Sequence, residues 1–187
     1  IMSYIDKILT FESDKIYYSD GTSTFEVMMD WETPLMSASA AYVCEGGGDI
    51  LEIGFGMGIS AGYMHSHSIS SHTIIENHPD IIPKAIAWAN EKSNVTVVTS
   101  SWYDIKDSLS TYDGIFYDTY GDQNMNNFSS SLGSLTKEGT RVTWWNNNNS
   151  ASNYYNIPNV TYQEISVSPQ ANGYFNHTTY YLPRRQF

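Results

Sequence analysis

Residues Leu51-Glu52-Ile53-Gly54-Phe55-Gly56-Met57-Gly58-Ile59 run an apolar stretch into three alternating glycines, and a further carboxylate closes Thr73-Ile74-Ile75-Glu76. A strand that meets Gly54, Gly56 and Gly58 must turn sharply, and a turn without side chains lets the backbone approach a ligand closely. Glu76, ending the next strand, stands where a ribose diol would arrive, because a carboxylate can accept hydrogen bonds from two hydroxyls. Together these residues describe an adenosine-binding α/β domain. The dinucleotide fingerprint wants a third glycine at position 59, which is Ile. That spacing, with Glu52 two residues before the first glycine, separates this site from one built for a pyrophosphate.

These residues need a scaffold. Helix and strand patterns alternate from residue 33 to about 146, implying a parallel sheet with crossover helices. Thr33-Pro34 reads as a helix start, since the hydroxyl can cap free amides and proline at the first helical position loses no hydrogen bond. Strands are expected at 49–53, 72–77, 95–99, 113–118 and 140–145, and helices over 34–44, 58–68, 79–90 (capped by Asn77) and 124–136. Segments 160–168 and 174–182 alternate as an antiparallel hairpin would, turned at 169–173. The expected fold is Rossmann-like α/β: a seven-stranded, mostly parallel sheet with an antiparallel C-terminal hairpin and helices on both faces. One domain would span residues 1–187, with 1–32 as an N-terminal lid segment. Ligands in such sheets sit at the carboxyl ends of the strands near the topological switch point. That gathers the glycine turn, Glu76, Ser101-Trp102 and Asp118 around one cleft.

At 187 residues the chain suits one domain with a substantial core. Twenty acidic against nine basic side chains give a net charge of −11. Such a surface repels phosphate backbones, which argues against nucleic-acid partners and suits a cationic substrate. The single cysteine, Cys44, excludes an internal disulfide and fits a reducing compartment. No basic stretch leads into an apolar one before Tyr4, and no apolar run reaches ~18 residues. The expectation is a soluble, cytoplasmic protein with no membrane partner. The opening Ile1-Met2 reads as one extra residue ahead of a start at Met2.

The glycine turn with Glu52 resembles motif I of the S-adenosylmethionine-dependent methyltransferases, whose ligand carries a cationic sulfonium and no pyrophosphate. Val27-Met28-Met29-Asp30-Trp31-Glu32-Thr33-Pro34-Leu35-Met36 resembles the W-E-T-P segment of the guanidinoacetate N-methyltransferase family. Leu51 to Met57 is similar to that family's motif I, Ile74-Ile75-Glu76-Asn77 to its second acidic strand, and Asp113-Gly114-Ile115-Phe116-Tyr117-Asp118-Thr119-Tyr120 to its substrate strand. Thr179-Tyr180-Tyr181-Leu182-Pro183 is similar to its closing strand. Fungal protein arginine N-methyltransferase 2-type enzymes are similar to the same pattern.

The resemblance implies a class I methyltransferase fold, S-adenosyl-L-methionine as cofactor with S-adenosyl-L-homocysteine as product, and no metal. It implies methyl transfer to a guanidino nitrogen of a small molecule such as guanidinoacetate. Two alternatives stay open: a protein arginine as acceptor, and a non-catalytic S-adenosylmethionine-binding module. Carried over by position, Met28 and Met36 flank the methionine part of the cofactor. Gly54, Phe55, Gly56, Met57, Gly58 and Ile59 wrap its carboxylate and ribose. Glu76, with Asn77 beside it, takes the ribose diol, and Ser101 and Trp102 lie against the adenine. Glu32 and Asp118 grip the guanidino group, and backbone amides near Asn147 and Asn148 receive the substrate's carboxylate. The chain departs from the family in three places. Its N-terminal residues do not align, leaving Tyr4 or Tyr17 to serve as the aromatic lid; Gly121 replaces a proline; and the helix before the final hairpin is nearly absent.

A guanidinium, with a pKa above ~12, keeps no free lone pair for attack on a methyl group. A catalyst must hold the cation, orient one nitrogen and accept its proton, which two carboxylates on opposite sides can do. Asp118, ending a buried strand, is the candidate base, and Glu32 is the second clamp. Plainer roles compete: Glu32 as a helix-dipole partner, Asp118 as the start of a tight turn, Met28 and Met36 as core filler. His65 and His67 alternate on a helix and face apart. His78 reads as a surface residue or loop partner.

Overall fold

The computed structural model describes residues 2–187, and the reading of Ile1 falls on a residue outside them. The N-terminal region is a small antiparallel sheet of β1 (Thr10–Phe11), β2 (Lys15–Ser19) and β3 (Thr24–Met29), in that order. The sequence reading assigned no strands here. Its overlooked signal is Asp20-Gly21 between two short runs, a hairpin dipeptide. Asp20 Oδ1 accepts from the amides of Thr22 and Ser23 at 2.9 and 2.8 Å, closing that turn.

The main domain continues through α1 (Thr33–Cys44), β4 (Asp49–Ile53), α2 (Ile59–Met64), β5 (Ser71–Glu76), α3 (Ile82–Ala89), β6 (Val95–Thr99), α4 (Trp102–Ile105) and β7 (Tyr112–Tyr117). It ends with α5 (Phe128–Leu135), β8 (Thr136–Trp144), β9 (Thr161–Ser166) and β10 (Thr179–Gln186). One seven-stranded sheet results, in the order β6-β5-β4-β7-β8-β10-β9. β6, β5, β4, β7 and β8 are parallel, and β10 runs antiparallel to both β8 and β9. The strand order reverses beside β4, so the switch-point crevice opens beyond the ends of β4 and β7.

Two boundaries differ from the sequence reading for clear reasons. α3 starts at Ile82 rather than Pro79, which puts Pro83 in the first turn, where its missing N–H costs nothing. β10 starts at Thr179 rather than Tyr174, because Asn172 Oδ1 accepts from the amides of Tyr174 and Phe175 at 2.8 and 2.7 Å and folds that stretch into a loop.

The core lies in three clusters. On one face α1 packs against Met64, Phe175, Tyr180 and Leu182. On the other, Trp102 of α4 and Phe128, Leu132 and Leu135 of α5 pack against Leu51, Ile115 and Val142. Leu9 and Ile16 tie the N-terminal sheet to Phe55, Ile81 and Ala85. No described helix is long and apolar enough to cross a membrane.

Gly54 joins the two strand ends that frame the crevice. Its amide donates to Ile75 O at 2.9 Å, while Asp118 N donates to Ile53 O at 3.0 Å. Its φ is +98°, and a Cβ there would overlap the Asp118 carbonyl. Gly54→Ala is therefore expected to lower stability in urea unfolding by about 1–3 kcal/mol. An unchanged midpoint would show that the strand ends tolerate separation.

Candidate active site

A cavity of about 360 Å³ sits at these strand ends. Of the residues singled out in the sequence, Met28, Glu32, Met36, Gly54, Phe55, Gly56, Glu76, Asn77, Ser101, Trp102 and Asp118 line it. Met57, Gly58 and Ile59 do not: Met57 and Ile59 pack against the core, and Gly58 precedes α2 with a φ of +75°. Asn147 lines a second, adjoining cavity, and Asn148 lines neither.

The glycine turn is fixed from both sides. Met57 N–H donates to Met28 Sδ at 3.2 Å, so Met28 braces the turn as well as lining the cavity. Glu52, fully buried beneath it, accepts from Ser60 Oγ at the start of α2 and pairs with His72 Nε2 at 3.1 Å. Glu76 Oε1 accepts from Phe55 N at 2.9 Å, and its Oε2 accepts from the amides of Asn77 and His78, both at 3.0 Å. Three of its roughly four acceptor positions are thus filled, leaving one on Oε1.

Glu32 and Asp118 approach the cavity from different elements. Glu32 lies in a short 3-10 turn just before α1 and is only 3 % exposed. Its Oε2 accepts from Met29 N at 3.0 Å and from Tyr174 Oη at 2.6 Å, which leaves Oε1 without a protein partner among the described residues. Burial outweighs those two hydrogen bonds and pushes the carboxyl up to about 7. Asp118 follows β7; burial first, then the charges of Glu32 and Glu52, hold its carboxyl well above the usual range. Two acids that repel each other in a poorly solvated cavity form a site suited to a cation.

Two features escaped the sequence reading. Asp122 ties the loop after β7 to the opposite wall: its Oδ2 accepts from Trp102 Nε1 at 2.7 Å and from Tyr117 Oη, and its Oδ1 from Asn124 N at 2.8 Å. Tyr174 reaches Glu32 across 142 residues of sequence, a separation that no local pattern encodes. Trp145 lines the cavity and stands 5.9 Å from the Tyr174 ring.

Of the two lid candidates, Tyr4 lines the cavity, with its ring 4.8 Å from Tyr120 and 4.7 Å from His78. Tyr17 turns outward to Glu12. Gly121, with φ +63°, makes room for Tyr4, because a Cβ there would meet Tyr4 Cβ at 2.6 Å. His78 is buried rather than on the surface, and its Nδ1 accepts from Asp80 N at 3.1 Å, so its role is that of a loop partner.

Strand order, glycine turn and acidic strand ends together define a Rossmann-like class I methyltransferase fold. Solved structures share it at low identity. The chain superposes on spermidine synthase from Thermotoga maritima with a TM-score of 0.66 at 9% identity, covering 96% of this chain and 72% of that one. It superposes on the N-methyltransferase NodS from Bradyrhizobium japonicum WM9 with a TM-score of 0.60 at 14% identity, covering 82% of this chain and 94% of that one. A model of the guanidinoacetate N-methyltransferase family matches residues 21–147, and the chain belongs to that family. Curated relatives include protein arginine N-methyltransferase 2 of Aspergillus fumigatus, 37% identical over 126 residues, and that of Saccharomyces cerevisiae, 35% identical over 108. These alignments cover 64% and 51% of this chain but only 29% and 26% of the relatives' length.

The raised carboxyls make stability depend on pH. With Glu32 lifted from 4.5 to about 7, the folded state binds more protons than the unfolded one between those values, so stability falls as pH rises through that window. Glu32→Gln keeps an oxygen for Met29 N and Tyr174 Oη but carries no charge. It should stabilise the ligand-free protein at pH 8 by on the order of 1–3 kcal/mol and lose that advantage near pH 5, as read by urea unfolding. An equal effect at both pH values would mean that the carboxyl is not strained.

Proposed function

We propose that this chain is an S-adenosylmethionine-dependent N-methyltransferase acting on a guanidino nitrogen, with Asp118 and Glu32 as its clamp. The observation that carries the reading is this pair of carboxylates facing one cavity that no Lys or Arg side chain lines. A planar cation between them would relieve their repulsion and pair with both through directed N–H donors.

The cofactor half rests on the chemistry of the wall. The open backbone at Gly54 and Gly56, the free acceptor position on Glu76 Oε1 and the indole of Trp102 suit an adenosine, and the acidic cavity suits a sulfonium. When bound, S-adenosylmethionine supplies a methyl whose bond to sulfur breaks as the bond to nitrogen forms, the electron pair remaining on sulfur. Asp118 orients the nitrogen and takes its proton, its raised basicity matching that task. Glu32, fixed by Met29 N and Tyr174 Oη, holds the opposite edge of the guanidinium through Oε1. Trp145 offers an aromatic face to the same cation.

In this reading residues 1–187 act as one domain, with Tyr4 of the N-terminal segment closing over the cavity. The acidic surface and the buried Cys44 suit a cytoplasmic setting. A second acceptor, arginine in a protein, is favoured by the names of the curated relatives, and the same clamp would hold its side chain.

A methyl-transfer assay read by product mass tests the proposal. Asp118→Asn keeps the shape but removes charge and basicity, so the rate should fall by on the order of 10²–10⁴ with cofactor binding little changed. In the wild type, kcat/KM should rise with pH through about 7, as the clamp loses its protons. A near wild-type rate in Asp118→Asn at saturating guanidine would sink the mechanism. For the adenosine contact, Glu76→Ala should weaken binding of S-adenosylhomocysteine by roughly 1.5–3 kcal/mol. The loss should shrink for an analogue without ribose hydroxyls; an equal loss there would remove Glu76 from the diol.

A further inference from the structure

We infer that Ser60 is a further cofactor-binding residue, whose hydroxyl oxygen accepts from the α-ammonium of S-adenosylmethionine because Glu52 beneath it takes the hydroxyl's only hydrogen. This rests on the cofactor reading proposed above. Ser60 is buried in the first turn of α2 and lines the larger cavity. A serine hydroxyl has one hydrogen and two lone pairs. The hydrogen goes to Glu52 Oε2, so toward a ligand Ser60 can only accept.

A chain of buried groups behind Ser60 sets the direction of that hydrogen bond. Glu52 and His72 are fully buried on the neighbouring strands β4 and β5. His72 Nε2 stands 3.1 Å from Glu52 Oε1, and His72 Nδ1 stands 3.2 Å from His65 Nε2. Burial first, then His72 and Lys92, lowers the basicity of His65 and keeps its ring neutral near pH 7. With His65 Nε2–H donating to His72 Nδ1, the other nitrogen of His72 is left as the donor to Glu52. Trp88 stands edge-on to both rings, 5.1 Å from His65 and 6.1 Å from His72, and keeps them in line. Every donor then runs toward Glu52, which has no hydrogen to return to Ser60. The donor that meets Ser60 from the cavity side is best a cation. Among the described residues no Lys or Arg pairs with Glu52 or lines the cavity, and the charge of Glu52 already reaches Asp118 on another part of its wall. Of the cofactor's donors, the α-ammonium alone carries charge, so it gains both the hydrogen bond and the carboxylate behind it.

The test is calorimetric binding of two ligands to the intact chain without methyl acceptor: S-adenosylhomocysteine, and its deamino analogue, which keeps the adenosine and the carboxylate. Ser60→Ala should weaken S-adenosylhomocysteine on the order of tenfold and the deamino analogue by about twofold or less. Glu52→Gln reverses the polarity: with His72 donating to the new amide's oxygen, its NH₂ faces Ser60 and turns the hydroxyl hydrogen toward the ammonium. That variant should lose at least as much affinity for S-adenosylhomocysteine, again sparing the deamino analogue, and adding Ser60→Ala to it should bring no further loss. If circular dichroism shows Glu52→Gln unfolded, the Ser60→Ala comparison decides alone. Wild-type affinity in Ser60→Ala, or equal losses for both ligands as a merely structural role would give, would overturn the inference and leave the cofactor reading standing. Failure of the wild type to bind either ligand would overturn both.

Discussion

The site is organised by two carboxylates kept close to each other and away from water. Ionised together, Glu32 and Asp118 repel, and burial denies them the hydration that would screen the repulsion. The fold holds them there through contacts that none of the flanking residues could supply alone. Glu32 is fixed by a backbone amide of β3 and by Tyr174 from the loop before β10. Asp118 is placed by the amide it donates to Ile53 and by the glycine that lets the two strand ends touch. In the proposed function, the strain in the ligand-free state is the counterpart of cation affinity, since a group that neutralised the pair would recover the energy spent in confining it.

The rest of the structure serves this confinement. The small N-terminal sheet docks through Leu9 and Ile16 and delivers Tyr4 to the rim, where Gly121 leaves space for its ring. Asp122 hydrogen-bonds the loop after β7 to Trp102, so the wall expected to face the cofactor and the loop following Asp118 are tied together. Beneath the glycine turn, the contacts of Glu52 with Ser60 and His72 fix the start of α2.

Much of this was legible in the sequence, for physical reasons. Strands buried on both faces read as apolar runs, so β4, β5 and β7 fell within one residue of their observed ends. The acids at those ends were visible because the glycine turn and the parallel order predict where a ligand lies. The missing parts depend on distant partners or short elements. The β1–β3 sheet has strands of two to six residues, too short for periodicity to stand out. Tyr174 sits in a segment whose alternation suggests a strand, and only the side chain of Asn172 turns it into a loop that reaches Glu32. Asp122 looks like an ordinary turn residue until Trp102 and Tyr117 are seen to converge on it. The carboxylate-binding role assigned to the amides of Asn147 and Asn148 rested on resemblance, and local hydrogen bonding occupies one of them.

Proton release on cation binding measures the central claim most directly. Methylguanidine titrated by calorimetry near pH 7, in buffers of differing ionisation enthalpy, reports how many protons leave the protein as the cation enters. A cation between the two acids lowers both carboxyl pKa values, so the account predicts a net release of up to about one proton per site, much reduced in Asp118→Asn. Saturable binding to the wild type with no proton exchange between pH 6 and 8 would contradict it, because the carboxyls would then already be ionised without their partner.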